Sequence, residues 1–155
     1  VLNFVLTREN IGQAGAFLRR FAPRAGVSEF QLYYPHYDGL MREHEEGLKL
    51  SMSDAARAVS AVFAEAGDLA KKAFVYNMPP CLAPQWSGRM RNWAREENSL
   101  LLDPATAQGA EIRQERRDRV KAEVCAECRY NDDCLGVERR YFELFGDKEL
   151  KAVPR

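Results

Sequence analysis

The sequence lacks the features that mark several common classes of protein. Its 155 residues contain no apolar run that approaches the roughly 18 residues of a membrane-spanning helix. Lysine plus arginine and aspartate plus glutamate both number 23, so no net charge attracts the chain to nucleic acid or to an anionic membrane surface. We therefore expect neither nucleic acid nor a membrane among its partners.

Several catalytic motifs are also absent. The sequence has no P-loop, no G-x-S-x-G and no dinucleotide-binding glycine pattern, and its only histidines are His36 and His44. Arg8 and Glu9 interrupt the apolar N-terminal run, so the sequence shows no signal peptide and we predict a cytoplasmic location. Without secretion, the four cysteines are expected to be thiols or metal ligands rather than disulfides.

The composition predicts one folded domain. Hydrophobic residues make up 46% of the chain and charged residues 30%, and 155 residues are enough to bury a sizeable core. The sequence begins inside a strand-like run, VLNFVL (1–6), with no methionine before it. We expect it to be the C-terminal portion of a longer protein.

The first half of the sequence predicts alternating strands and helices. The runs 1–6, 28–34 and 73–77 are rich in β-branched and aromatic residues, and the first is apolar enough for a strand buried on both faces. Such a β-α-β-α-β order is typical of a parallel sheet with right-handed crossovers. We therefore predict an α/β fold with parallel strands.

Two capping boxes mark the starts of the intervening helices. Asn10, followed three residues later by Gln13, predicts a helix that ends before Pro23. Ser51 with Asp54 predicts a second, longer helix that Gly67 closes.

The second half is harder to assign. We predict a short helix over 85–96, a short strand over 99–103 and a helix over 111–124. The basic run 113–121 contains interleaved acids, which favours a solvated helix face over a phosphate-binding patch. Residues 137–145 predict a final helix that ends at Gly146.

Residues with polar, reactive or conformationally restricted side chains follow each predicted strand. Ligands of parallel α/β folds bind at the carboxyl ends of the strands, so these residues are candidates for a site. They are Thr7, Arg8 and Asn10 after the first strand, Pro35, His36 and Tyr37 after the second, and Asn77 and Cys81 after the third. Each has a structural alternative: Asn10 as a helix cap, Arg8 as a surface charge, and His36 as a loop residue packed on an aromatic ring.

Three of the four cysteines lie within ten residues of one another. VCAECRYNDDCLG (124–136) places Cys125, Cys128 and Cys134 at C-x2-C-x5-C spacing, and Cys81 is the remaining candidate ligand. Four thiolates suit tetrahedral zinc and an iron–sulfur cluster alike. The spacing is uneven, with one C-x2-C pair, one C-x5-C step and one remote cysteine, and this favours a cluster over zinc. Unliganded thiols and a redox dithiol are the alternatives.

Two segments carry a resemblance to a known family. VCAECRYNDDCLGVERRYFELFG (124–146) resembles the C-terminal cluster segment of radical S-adenosylmethionine (SAM) enzymes with a SPASM or twitch extension. Residues 1–35, which contain VLNFVLTRENIGQ and end in QLYYP, look like a late strand–helix–strand unit of the partial barrel of those enzymes. The resemblance implies that 1–80 belong to a parallel-stranded (β/α) barrel and 81–155 to a small Cys-rich cluster-binding extension.

The resemblance also implies a cofactor set. Cys81, Cys125, Cys128 and Cys134 would hold one auxiliary 4Fe–4S cluster, as in the twitch form, because no further cysteine follows Cys134. The C-x3-C-x2-C motif that binds the SAM-cleaving cluster is absent, so we expect this chain alone to be inactive towards SAM.

The implied activity belongs to a longer enzyme. Such an enzyme, supplied with electrons by a reductant protein, cleaves SAM reductively to a radical that takes a hydrogen atom from a peptide, protein or small-molecule substrate. Arg8, Asn10 and His36 would then lie in the wall of the SAM or substrate pocket, and the sequence identifies no catalytic residue. The alternatives are a non-enzymatic, zinc-stapled interaction domain and a small electron-transfer module.

Overall fold

A computed structural model describes residues 1–24, 26–92 and 118–155. Six strands and five α-helices are found there, joined by short 3-10 turns. The strands are β1 (Leu2–Val5), β2 (Phe30–Tyr33), β3 (Ala73–Tyr76), β4 (Met90–Arg91), β5 (Arg119–Val120) and β6 (Val137–Glu138). The helices are α1 (Ala14–Phe21), α2 (Gly39–Glu43), α3 (Glu45–Leu48), α4 (Met52–Ala66) and α5 (Arg139–Phe145).

The first four strands form one parallel sheet in the order β1-β2-β3-β4, so neighbours in the chain are neighbours in the sheet. The register places Val5, Tyr33, Tyr76 and Arg91 in one row across it. This arrangement confirms the predicted α/β fold with parallel strands. No barrel is closed by the strands in the described residues.

The hydrophobic core lies against one face of the sheet. Phe17 of α1 packs against Phe4 and Phe30, with ring centroids 5.0 and 5.7 Å apart. Val59 and Phe63 of α4 are buried in the same hydrophobic cluster. The strand residues that point to this face are fully buried in β2 and β3, because both helices cover it.

The opposite face is half open, which corrects the expectation that the first strand is buried on both sides. Val5 is 48% exposed and Val1 67% exposed. Tyr33 and Tyr76, on the same face as Val5, are partly exposed. The apolar composition of β1 was misleading because β1 is an edge strand, and the helices that the structure describes cover only the opposite face of its sheet.

The capping box predicted at Asn10 does not form. The chain after β1 makes a 3-10 turn, Ile11–Gln13, before α1 begins, and the Asn10 side chain makes no capping bond. Instead, Asn10 accepts a hydrogen bond from the Thr7 backbone N–H at 2.9 Å and donates one to the Val5 carbonyl at 2.8 Å. The asparagine therefore stabilises the turn out of the strand rather than the helix start.

The second predicted helix is confirmed at both ends. The Ser51 hydroxyl accepts a hydrogen bond from the Asp54 backbone N–H at 3.0 Å, which caps α4. Gly67 ends α4 with φ of 54°, a conformation that costs glycine little.

The predictions for the second half were less accurate. Where the predicted helix 85–96 is described, the chain forms the 3-10 helix Pro84–Arg89 and then β4, because pairing with β3 extends it there. Residues 93–96 of that prediction lie outside the described residues. Within the predicted helix 111–124, the described residues form β5 and enter the 3-10 helix Glu123–Glu127. The rest of that helix, the predicted strand 99–103 and most of the basic run lie outside the described residues.

The C-terminal segment adds a two-stranded sheet and a helix that pack on the common core. β5 and β6 pair antiparallel, and α5 follows β6 directly and ends at Gly146, as predicted. Tyr141 of α5 is fully buried against Tyr34, with ring centroids 6.0 Å apart. Within the described ranges, the structure contains no helix both long and apolar enough to cross a membrane.

Candidate functional site

The four cysteines line a single pocket that is partly open to solvent. None of them is in a disulfide. The other residues around the pocket are Pro79, Pro80, Lys121, Tyr130, Asn131, Gly136, Leu150 and Lys151. Cys81 therefore lies beside three cysteines that follow it by more than forty positions in the chain.

Cys81 reaches the pocket through a sharp change of direction after β3. Asn77 ends the strand with φ of 61°, in the left-handed region that asparagine tolerates better than most residues. The short 3-10 helix Pro80–Leu82 then carries Cys81 to the carboxyl end of the sheet. This is the edge at which parallel folds bind ligands.

Tight backbone turns position the other three cysteines. The Cys125 N–H donates to the Ala122 carbonyl at 3.0 Å, and the Cys128 N–H donates to the Cys125 carbonyl at 3.1 Å. Cys134 is held by a bond from its N–H to the Tyr130 carbonyl at 2.8 Å. The 3-10 helix Glu123–Glu127 thus places Cys125 and Cys128, and the following turn places Cys134.

Asn92 attaches this cysteine segment to the parallel sheet. Its carbonyl accepts a hydrogen bond from the Leu135 N–H at 3.2 Å, and its side chain donates to the Gly136 carbonyl at 3.0 Å. Because Asn92 directly follows β4 and is 98% buried, these bonds fix Cys134 relative to the sheet.

Backbone N–H groups point at two of the sulfur atoms. The Gly136 N–H donates to Cys134 Sγ at 3.3 Å, and the Val153 N–H donates to Cys128 Sγ at 3.4 Å. Such N–H···S bonds stabilise negative charge on sulfur, and they are the outer-shell contacts that orient and tune thiolate ligands.

Burial favours the protonated form of Cys81, Cys125 and Cys134 in the absence of a cation. It raises the pKa of Cys81 to about 11, and it also raises the pKa values of Cys125 and Cys134. The Lys121 ammonium opposes this effect at Cys125 and Cys134. A metal bound here would therefore have to displace protons from these thiols.

The sulfurs surround the pocket without forming a finished site for one ion. Across residues 1–24, 26–92 and 118–155, no group of three or more Cys, His, Asp or Glu side chains is arranged to hold a single metal ion. The donor set fits a soft metal because it consists of four thiols.

The other predicted site residues do not reach this pocket. Arg8, Asn10 and His36 are not among its lining residues. Arg8 is exposed, and its charge lowers the pKa of Glu46 after the larger effect of Lys49. Asn10 is occupied in the turn after β1. His44 is exposed beside Glu43 and Glu45, as expected of a solvated helix face.

His36 belongs to a second polar cluster that the sequence did not reveal. Its Nδ1 hydrogen bonds to Glu138 Oε1, and Glu138 Oε2 accepts a bond from the Tyr37 N–H at 3.2 Å. Asn77 donates to the same carboxylate at 3.4 Å and accepts a hydrogen bond from Arg119. We call these five residues the Glu138 cluster. The sequence gives no signal for it because Glu138 lies 102 positions after His36.

The charge on Glu138 is stabilised by its neighbours. Burial alone would raise the pKa of this carboxyl group, but the hydrogen bond and charge of His36, the Tyr37 N–H and the charge of Arg119 together lower it. Glu138 is therefore ionised at neutral pH and acts only as a hydrogen-bond acceptor.

Comparison of the chain with models of protein families, with curated proteins and with solved structures gives no match.

Proposed function

We propose that this chain is the C-terminal part of a radical SAM enzyme, and that Cys81, Cys125, Cys128 and Cys134 hold one auxiliary 4Fe–4S cluster beside the substrate. The observation that carries the proposal is the shared pocket: the remote Cys81 and the C-x2-C-x5-C cysteines line one cavity next to the carboxyl end of a parallel strand. A chance clustering of thiols would not bring the remote cysteine to the other three.

The sheet topology supports a section of a partial barrel. A doubly wound fold reverses its strand order and carries helices on both faces. Here the order β1-β2-β3-β4 never reverses, and α1 and α4 are packed together in a core against one face. A row of half-exposed side chains, including Tyr33 and Tyr76, covers the other face, as expected for the inner wall of an open barrel.

Zinc is the alternative metal for this donor set. Four thiolates can hold a single zinc ion at about 2.3 Å in one tetrahedron, and they can equally hold a 4Fe–4S cluster. The uneven spacing of the cysteines, with one C-x2-C pair, one C-x5-C step and the remote Cys81, is what favours a cluster.

When bound, an iron–sulfur cluster supplies one-electron transfer. The chain's own residues would provide the ligands and their surroundings. Gly136 and Val153 donate N–H groups to sulfur, and Pro79, Pro80 and Leu150 exclude water from part of the pocket. Lys121 offsets negative charge near Cys125 and Cys134.

The decisive experiment is anaerobic purification and reconstitution of the chain, followed by assays of iron, sulfide and zinc. We expect about four iron and four sulfide per chain with an absorption band typical of a 4Fe–4S cluster. A colourless protein that holds one zinc and no sulfide would instead support the zinc-stapled interaction domain and refute the cluster.

A separate observation distinguishes an enzyme fragment from a free-standing electron-transfer module. The coding region upstream of Val1 should encode a C-x3-C-x2-C motif followed by strand–helix repeats. A native translation start at this position would favour the electron-transfer module.

A further inference from the structure

We propose that His36 is an open proton acceptor for a ligand bound at the carboxyl edge of the sheet, and that Glu138 is its positioning residue. The ligand group it serves is a hydrogen-bond donor, namely a hydroxyl, an amide N–H or an ammonium. The inference stands on the Glu138 cluster and does not require a metal at the cysteines.

The hydrogen bond to Glu138 fixes the tautomer of His36. An ionised carboxylate can only accept, so Nδ1 of His36 must carry the proton in their bond. In neutral His36 the lone pair then lies on Nε2. No described residue hydrogen bonds to Nε2, and the His36 side chain is 35% exposed. The ring therefore presents Nε2 as a basic nitrogen, and the bond from Nδ1 to the Glu138 carboxylate orients it.

The carboxylate is itself held firmly. Only 13% of the Glu138 side chain is exposed. Its Oε2 accepts a hydrogen bond from the Tyr37 N–H, and its Oε1 accepts one from Nδ1 of His36. Asn77 backs the pair: its amide donates to the Tyr34 carbonyl at 3.0 Å and to the Pro35 carbonyl at 3.3 Å. These bonds fix the loop that carries His36, which is the kind of support a precisely placed side chain requires.

Asn77 is also the one non-glycine residue in the described part of the chain with positive φ. Such backbone conformations persist where the surroundings over-determine them, and they concentrate at functional sites. In this structure the strained residue is the one whose side chain contacts both Glu138 and Arg119.

The position of His36 suits contact with a ligand, in addition to its hydrogen bond within the protein. It follows β2 at the carboxyl edge of the sheet, and its ring lies 5.9 Å from that of Tyr33, which stacks on Tyr76 at 5.3 Å. This aromatic pair lies on the half-open face of the sheet. A ligand over that face can offer an O–H or N–H to Nε2.

The proton balance of the step is simple. The donor group of the ligand loses its proton to the Nε2 lone pair, and His36 becomes an imidazolium. The ionised Glu138 balances the new positive charge through Nδ1, as the carboxylate of a catalytic triad does for its histidine. No oxidant, reductant or further reactant is required.

Diethyl pyrocarbonate tests the proposal on the full chain, because it modifies accessible, unprotonated imidazole nitrogens. His44, which is exposed, serves as the internal reference. Peptide mass spectrometry should show His36 modified at least as fast as His44, although His36 is the more buried of the two. A His36 rate far below that of His44 would show that Nε2 is covered and would overturn the proposal.

Glu138→Gln separates a positioned base from an ordinary surface histidine. The glutamine amide can donate to Nδ1 and so move the ring proton to Nε2, as when a triad aspartate is replaced by asparagine. We expect the His36 rate to fall several-fold with the His44 rate unchanged. An unchanged His36 rate would refute the positioning role of Glu138.

Nitrogen NMR of the wild-type chain gives a readout that does not depend on the variant folding. It should report a proton on Nδ1 of neutral His36, and a proton on Nε2 instead would contradict the proposal. Iron and sulfide content reports on the cysteines alone, so failure of the cluster proposal and failure of this one are distinguishable.

Discussion

Glu138 and His36 are hydrogen bonded across 102 positions of the chain. The bond joins the loop after β2 to the strand that precedes α5, so it ties the C-terminal segment to the parallel sheet. Tyr37 adds a backbone N–H to the same carboxylate at 3.2 Å. The Cys-rich segment and the sheet are therefore connected by a charged contact as well as by the cysteine pocket.

Glu138 should make the stability of the fold sensitive to acid. Its pKa is lower in the folded state than the ordinary glutamate value, so its contribution is fully present above that ordinary value. The contribution is lost as the pH falls through the lowered pKa. We expect Glu138→Gln to cost about 1–3 kcal/mol at pH 7 in urea unfolding, because it removes a charged partner from a largely buried network.

The difference between wild type and Glu138→Gln should shrink below about pH 4, where wild-type Glu138 becomes protonated. Glu143→Gln is a suitable control because Glu143 is about half exposed and pairs with Arg140 on the surface of α5. A wild-type advantage that is constant from pH 7 to pH 3 would contradict the assigned charge.

Cys81 should be as important for cluster binding as the cysteines of the C-x2-C pair. We expect Cys81→Ala to reduce iron and sulfide content after reconstitution about as much as Cys128→Ala, because both thiols line the same pocket. Ser87→Ala, a comparably small change in the following 3-10 helix, should retain full content. Full iron retention in Cys81→Ala would show that Cys81 is not a ligand.

Gly136 should not tolerate a side chain. It has φ of 80°, and a Cβ there would collide with the backbone carbonyl of Val120. Gly136→Ala should therefore cost more than about 2 kcal/mol in denaturant unfolding. It should also reduce metal loading, since the Gly136 N–H bonds to Cys134 Sγ.

Gly47→Ala is the matched control for that substitution. Gly47 lies in α3, and an added Cβ meets no atom within 4 Å. We expect this variant to be neutral or stabilised by up to about 1 kcal/mol, because alanine favours the helix. Equal losses in both glycine variants would argue against the close approach of the two C-terminal strands.

The cap of α4 offers a local test of the fold. Ser51→Ala removes the acceptor for the Asp54 N–H and should cost about 1 kcal/mol in thermal or urea unfolding. Ser53→Ala changes a nearby serine that does not cap the helix, and it should change stability by less than about 0.5 kcal/mol. A smaller effect at Ser51 than at Ser53 would contradict the assigned cap.

The elements that could be predicted are those with strong local signals. Serine at position 51 and glycine at 67 bound α4 by capping and by positive φ, both of which depend on nearby residues. Asn10 shows the limit of such reasoning: its sequence context fits a cap, but the chain leaving β1 uses the same amide to close a turn. Two local hydrogen-bonding patterns competed, and sequence spacing does not rank them.

The candidate site was only partly predictable for the same reason. Cysteine chemistry and spacing singled out the four cysteines that line the pocket, but not the other residues around it. The Glu138 cluster has no such spacing, since its members come from the residue after β3, from the loop after β2 and from both C-terminal strands. A glutamate among the charged residues before α5 is indistinguishable in sequence from a surface residue.

The amino-acid sequence by itself determined the alternation of strands and helices in the first half of the chain and the parallel α/β class, because periodicity, caps and residue chemistry act locally. Only the tertiary structure decided that helices cover one face of the sheet, that β1 is a half-exposed edge and that Glu138 faces His36. Those outcomes depend on contacts between residues far apart in the chain, which local preferences do not specify.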